Sequence, residues 1–273
     1  MNEVVIVLAR PVDPRNIGAA FRAVANFGFA ELRVVLGESI DRDAVTAFSS
    51  GAADVARLVT FESLAAATAD CHQVVGTSVR QRDDLNPTIL PSLGLAGAFR
   101  PGARVAIVFG TERTGLTREE IDRCDAVVML PTAPGFPTMN LSHAVACVAY
   151  ELRREEGIES QRKDAETPRD EASLIEPLRL RGLALNLRAE SATEANAGLR
   201  PPTDVRARDA FYDHVRAVCG EIGFPPGRSP ETVVRRLRKI LGRADLSPGE
   251  LSFIAGFFTE MRRLARLLFL ARN

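Results

Sequence analysis

The residues best suited to chemistry in this 273-residue chain gather in three short segments, Thr77-Ser78, Gly110-Thr111-Glu112 and Pro131 to Asn140. Each follows a short run rich in Val and Ile, so each is expected at the end of a strand, where α/β proteins hold ligands. Two of them fall in the single stretch Val105 to Leu152, which joins two buried-looking strands, a glycine-bounded polar loop, a proline-rich loop and a well-patterned helix. The three segments are expected to converge on one small ligand.

Two common ligand chemistries are excluded. The run GTERTGLT, Gly110 to Thr117, nearly spells a phosphate-binding P-loop, but Leu116 stands where the lysine must be. Without that cation the loop cannot clamp β- and γ-phosphates. After the first strand the sequence is ARPVDPRNIGAAFR, which lacks the G-x-G-x-x-G dinucleotide fingerprint, so a nicotinamide cofactor is not expected.

The elements that must position these residues follow from periodicity. Val4 to Ala9, Leu32 to Leu36, Arg57 to Phe61, His72 to Thr77, Arg104 to Phe109 and Ala126 to Leu130 read as strands, mostly separated by helical patterns. That alternation predicts an α/β fold with a mainly parallel sheet covered on both faces, over residues 1–156. The first helix is expected to start near Asn16 as N-cap, with Ile17, Ala20, Phe21, Val24 and Phe27 as its apolar stripe. Arg15, Arg22 and Asn26 share its opposite face, either as a solvated surface or as a face aimed at a ligand or a second subunit. Gly18, Ala19 and Ala23 allow another backbone to approach closely. Asn140 is expected to cap a helix whose stripe is Leu141, Ala144, Val145, Val148, Ala149 and Leu152, bringing free backbone N–H groups to the proline-rich loop. Residues 157–204 are mostly charged, Ala, Thr and Pro, and read as a linker with transient helix around Leu174 to Leu187. Helical patterns at Val205 to Ile222, Ser229 to Leu241 and Ser247 to Leu270 predict a small all-α C-terminal domain, residues 205–273.

Composition narrows the class further. With 46% hydrophobic and 26% charged residues the chain is an ordinary globular one, and no apolar run approaches the roughly 18 residues needed to cross a membrane. Val4 to Ala9 is too short for a secretory segment and lacks a basic flank, so a cytoplasmic protein is expected. Cys71, Cys124, Cys147 and Cys219 are far apart, without zinc-site spacing, and are expected to be buried or half-buried free thiols; no metal is implied. Net charge is zero, yet residues 206–273 carry thirteen Arg or Lys against seven Asp or Glu. That asymmetry points to a polyanion, with Arg235, Arg236, Arg238 and Lys239 as the phosphate-contact candidates unless the helix surface is merely solvated.

The order of three motifs carries a resemblance. N-x-G-x-x-x-R (Asn16, Gly18, Arg22), FGTERTGL (Phe109 to Leu116) and LP-x8-N-L-S (Leu130 to Ser142) closely resemble those of the SpoU/TrmH class of SPOUT RNA ribose methyltransferases. The tail FYDHVRAVCGEIGF…SPETVVRRLRKIL resembles the C-terminal extension of the TrmJ subgroup. The resemblance covers everything except the linker. It implies a sheet whose C-terminal part is threaded into a trefoil knot, where patterning alone gives an ordinary doubly wound domain. It also implies a homodimer, S-adenosylmethionine as cofactor, and methylation of the ribose 2′-oxygen of tRNA at position 32, at the 5′ edge of the anticodon loop. Carried over residue by residue, it assigns Thr77, Ser78, Gly110, Leu130, Thr138, Met139 and Asn140 to the cofactor and Arg22 to catalysis, supported by Asn16 and Glu112. Thr138-Met139-Asn140 stands where the family commonly has Ser-Leu-Asn, keeping a hydroxyl and a bulky apolar contact.

A ribose hydroxyl is a poor nucleophile at neutral pH and must be oriented and helped to lose its proton. The family proposal makes the motif-one arginine the general base, but a side chain with a pKa above about 12 is strained as a neutral group. A cationic Arg22 that clamps the adjacent phosphate and stabilises the developing alkoxide is the cheaper role. His143, in the first turn of its helix, is the weaker alternative as a base, and His72 and His214 are weaker still. Two rival functions remain: a ribosomal RNA 2′-O-methyltransferase of the same family, and a non-catalytic RNA-binding protein on the same fold.

Overall fold

A computed structural model describes residues 3–36, 41–79, 88–89, 95, 99–100, 102–165, 203–242, 244 and 246–270. Seven parallel strands form one sheet in the order β3-β2-β1-β6-β4-β7-β5: β1 (Glu3–Ala9), β2 (Glu31–Val35), β3 (Arg57–Phe61), β4 (Gln73–Thr77), β5 (Thr88–Ile89), β6 (Arg104–Phe109) and β7 (Ala126–Val128). The six expected strands are present. β5, two residues long, is too short to leave an alternation in the sequence, and the seventh strand ends at Val128, which leaves Leu130 in the loop.

Alternating side chains of the central strands enter different cores. Val105, Ile107 and Phe109 of β6 join Ile6 and Leu8 beneath α1 (Pro14–Asn26) and α5 (Leu141–Ala165). Ala106 and Val108 join Val5 and Val7 on the other face, which α3 (Leu64–Ala67) and α4 (Arg118–Asp122) cover. This double burial is why the strands read as nearly continuous apolar runs. The short helix α2 (Arg42–Ser49) packs on α1.

The start of α1 corrects one expectation. Its N-cap is Asp13, whose carboxylate accepts from Arg15 N at 2.9 Å, and Pro14 opens the helix. Proline favours the first turn because its fixed φ suits the helix and its missing N–H has no partner there. Asn16 therefore lies inside the helix with its side chain free for other work.

The C-terminal helices α6 (Val205–Glu221), α7 (Glu231–Leu241) and α8 (Pro248–Leu270) match the expected patterns and share a small core of Phe211, Tyr212, Val215, Cys219, Val234 and Leu251. The described residues up to 156 and from 203 onward form one compact unit. The helices are fastened to the sheet by Val205, buried in the core beneath α3 and α4, and by polar contacts: Arg208 makes a double ion pair with Asp125 (2.6 and 3.1 Å), and Arg100 Nη2 donates to Gly242 O at 2.8 Å. The backbone N–H groups of Val205 and Arg206 donate to the carbonyls of Cys71 and Ala69. The helix expected at Leu174 to Leu187 lies outside the described residues, as does most of the connection from β4 to β6, on which the trefoil threading depends.

No described helix is long and apolar enough to cross a membrane, and the described residues hold no group of three or more potential metal ligands. Cys71, Cys124 and Cys219 are buried, and burial pushes the Cys71 thiol up to about 12. Cys147, expected to be at least half buried, is exposed, because it sits on the side of α5 away from Val145, Val148 and Ala149.

Candidate active site

The carboxyl ends of β4, β6 and β7 surround a cleft of about 480 Å³. Its shape begins with Gly110. A Cβ there would lie 2.0 Å from Gly115 C and 2.1 Å from Leu116 N, so only glycine lets the loop after β6 fold back on itself. The loop closes by paired backbone hydrogen bonds between Thr111 and Gly115 (3.2 and 3.0 Å), with Gly115 at φ +67.

This turn projects Glu112 toward the start of α1. Its carboxylate accepts from Val12 N, Asp13 N and Asn16 Nδ2, each at 3.1 Å. Burial opposes the charge, but these hydrogen bonds and that from its own backbone outweigh burial and hold the carboxyl below the ordinary glutamate range. An ionised carboxylate can only accept, so Asn16 must present its amide nitrogen to Glu112 and its oxygen elsewhere. That oxygen accepts from Asn140 Nδ2 at 2.9 Å. Asn140 Oδ1 in turn accepts from the backbone N and the hydroxyl of Ser142 (2.9 and 2.7 Å), in the first turn of α5. A single chain of polar contacts thus ties together the three motifs.

Six of the seven residues assigned to a cofactor, Thr77, Ser78, Gly110, Leu130, Thr138 and Met139, line the cleft. Asn140 does not; it stands beside the cleft as the link between α5 and Asn16. Thr77 donates its hydroxyl proton to Val108 O at 3.1 Å, which leaves it only acceptor capacity toward a ligand. Leu116, Leu130 and Met139 make the cleft partly apolar, and its size lies within the roughly 300–1,000 Å³ of ordinary cofactor sites. Thr111, expected among the ligand-facing strand-end residues, also lines it, and sequence reasoning missed Arg113; its position between two glycines of that loop was the available signal.

Arg22 is outside the cleft lining, exposed on α1, and donates from Nη1 to Ser50 Oγ at 3.2 Å. His143 is exposed, His72 Nδ1 accepts from Arg104 N at 2.8 Å, and His214 pairs with Thr259 at 3.0 Å.

The candidates on α7 divide. Arg235 pairs with Asp122 (2.9 Å), and Arg238 pairs with Asp209 (2.9 Å) while lying 4.2 Å above the Tyr212 ring. Arg236 is exposed and Lys239 half-buried. Arg235 and Arg238, three apart, share the face turned to the carboxylates, and Arg236 lies off it.

Comparison with known proteins follows the same two parts. Residues 3–150 match the model of the SpoU rRNA methylase family, and residues 207–268 match the tRNA methyltransferase TrmJ C-terminal domain. The chain is 30% identical, over 100% of its length and 99% of the relative's, to the tRNA (cytidine/uridine/adenosine-2'-O-)-methyltransferase TrmJ of Pseudomonas aeruginosa. It is 28% identical to the tRNA (cytidine/uridine-2'-O-)-methyltransferase TrmJ of Photorhabdus laumondii, covering 96% and 97% of the two chains. The crystal structure of TrmJ from Z. mobilis superposes with a TM-score of 0.69 at 26% identity, covering 94% of this chain and 98% of that one.

Proposed function

We propose that this chain, which belongs to the SpoU rRNA methylase family and carries the TrmJ C-terminal domain, transfers a methyl group from S-adenosylmethionine to a ribose 2′-hydroxyl of tRNA, at position 32 of the anticodon loop. The observation that carries this reading is the chain Glu112–Asn16–Asn140, which ties the Arg22 helix to the rim of a cleft lined by six of the seven expected cofactor residues. The names of the full-length relatives supply the substrate class. Cytoplasmic residence and the trefoil threading belong to the same proposal.

The residues fit the cofactor. Thr77, Ser78, Gly110 and the loop from Leu130 to Met139 would hold it, with apolar surface from Leu116, Leu130 and Met139 and acceptor capacity from Thr77. When bound, S-adenosylmethionine supplies an electrophilic methyl on a sulfonium whose charge is lost as the new bond forms. This chain's own contribution is orientation. Arg22 holds the phosphate beside the target ribose and, as a cation, stabilises the oxygen as its proton passes to solvent water. Glu112 and Asn140 keep the start of α1 in register with the cleft through Asn16.

The enzyme acts as a homodimer. Val12, Phe136 and Tyr150, on the site loops and α5, are 74%, 77% and 52% exposed, which is apolar surface suited to a second copy. Sedimentation should give a dimer that Tyr150→Asp weakens.

The test of the reaction is mass mapping of methylated nucleosides on tRNA, both after incubation with the purified protein and in a strain lacking it. A 2′-O-methylated pyrimidine at position 32 that depends on the protein is the expected result. Methylation confined to ribosomal RNA, or cofactor binding without transfer to any RNA, would overturn the reading.

A further inference from the structure

The first motif, Asn16-x-Gly18-x-x-x-Arg22, has a middle residue whose purpose the cleft does not explain. Gly18 and Arg22 are one turn apart on the same face of α1. A Cβ at Gly18 would stand 2.5 Å from Val45 O and 2.7 Å from Phe48 Cβ, so the glycine lets the backbone of α2 press directly on α1. The chain leaves α2 at Ser50, and Ser50 Oγ accepts from Arg22 Nη1.

Ser50 adopts φ 47, ψ 55, the left-handed region that L side chains avoid, and the next residue, Gly51, is already at φ 79. Glycine would take the Ser50 backbone without strain, whereas only a side chain can supply the acceptor. We infer that Ser50 is the positioning residue of Arg22, carried into place by the close packing of α2 on Gly18. An arginine side chain has many rotamers, and one donated hydrogen bond restricts it while leaving its other N–H groups for a phosphate. This rests on the catalytic reading of Arg22 proposed above.

The discriminating variant is Ser50→Gly, which relieves the backbone and removes the hydroxyl. It should keep or raise Tm and leave cofactor Kd unchanged, while kcat falls about tenfold, less than the ~100-fold that a full misplacement of a reacting group can cost. Ser50→Asn, which tolerates the left-handed region and offers a side-chain oxygen, should recover most of that loss. Wild-type kcat in Ser50→Gly alongside an inactive Arg22→Ala would overturn the inference and leave the function intact. A loss in Ser50→Gly that Ser50→Asn does not recover would also overturn it, since the cause would then be the loop backbone. Normal turnover in Arg22→Ala would remove the catalytic reading itself, and the positioning role with it.

Discussion

The cleft and the seat of the C-terminal helices both set polar side chains against one sheet, and they use charge in opposite ways. At the cleft a single carboxylate is satisfied by two backbone N–H groups and an amide, and Arg113 of its lining is exposed, without an ion pair among the described residues, as Arg22 of α1 is exposed outside it. At the seat the cations meet carboxylates: Arg208 with Asp125, Arg235 with Asp122, and both Arg123 and Arg238 with Asp209. A basic tail thus contains cations that fasten it and exposed cations such as Arg236, and only the packing tells them apart.

The largest test of that contrast is Arg208→Ala. The ion pair is nearly out of water, with Arg208 14% and Asp125 10% exposed, so deletion leaves a largely buried carboxylate with the Val74 N–H as its remaining partner. Loss of one partner of such a pair costs about 3–5 kcal/mol. Urea unfolding should register it, while the folded fraction binds S-adenosylmethionine normally. A cost below about 1 kcal/mol, the scale of a surface pair, would mean that the helices are held by their apolar contacts instead.

The cleft predicts the reverse pattern. Arg22→Ala should lower kcat about 10²–10³-fold, the usual effect of removing one preorganised charge from a transition state. Its Tm and cofactor Kd should stay near wild type, because Arg22 is exposed and outside the cleft lining. Stability loss without a kcat effect would make it a packing residue like Arg208.

The sheet was legible because both of its faces are buried: Val105 to Phe109 has no polar residue to blur the pattern. The cleft loops were legible because strand ends rich in glycine and hydroxyls have little other use on an apolar scaffold. What the sequence hid was pairing at long range. Asn16 looked like a cap although Asp13-Pro14 carries the local helix-start signal, and nothing local says that Glu112, 96 residues away, will need its amide. Arg235 and Arg238 looked free because Asp122 and Asp209, in distant segments, bear no sequence relation to them. Ser50 was invisible for the same reason: its conformation depends on where α2 stops.

Acid titration offers a milder probe of the seat. Beneath the attachment of α6, hydrogen bonds from Arg33, with help from Arg104, hold Asp70 at about 2 against the opposing effect of burial. A carboxyl depressed in the folded state contributes stability above its unfolded value near pH 4 and loses it as pH falls through the folded value. Asp70→Asn should therefore be less stable than wild type at pH 7, by up to about 1 kcal/mol because the aspartate is partly solvated. The difference should shrink steeply between pH 4 and 2 and vanish below the folded value. A gap undiminished at pH 2 would assign the effect to shape rather than charge.

The smallest effect is the sharpest division within α7. Arg236 faces water while Arg238, two residues on, lies between Asp209 and the Tyr212 ring. A phosphate contact adds about one unit to the slope of log K against log salt when tRNA binds, and an arginine already neutralised by an aspartate adds little. Arg236→Gln should therefore make the salt dependence shallower by about one unit with Tm unchanged, whereas Arg238→Gln should lower Tm and leave the slope nearly intact. Equal slopes for the two variants would mean that tRNA binding opens the Arg238–Asp209 pair, and the seat of the helices would then be part of the RNA surface rather than a fixed support for it.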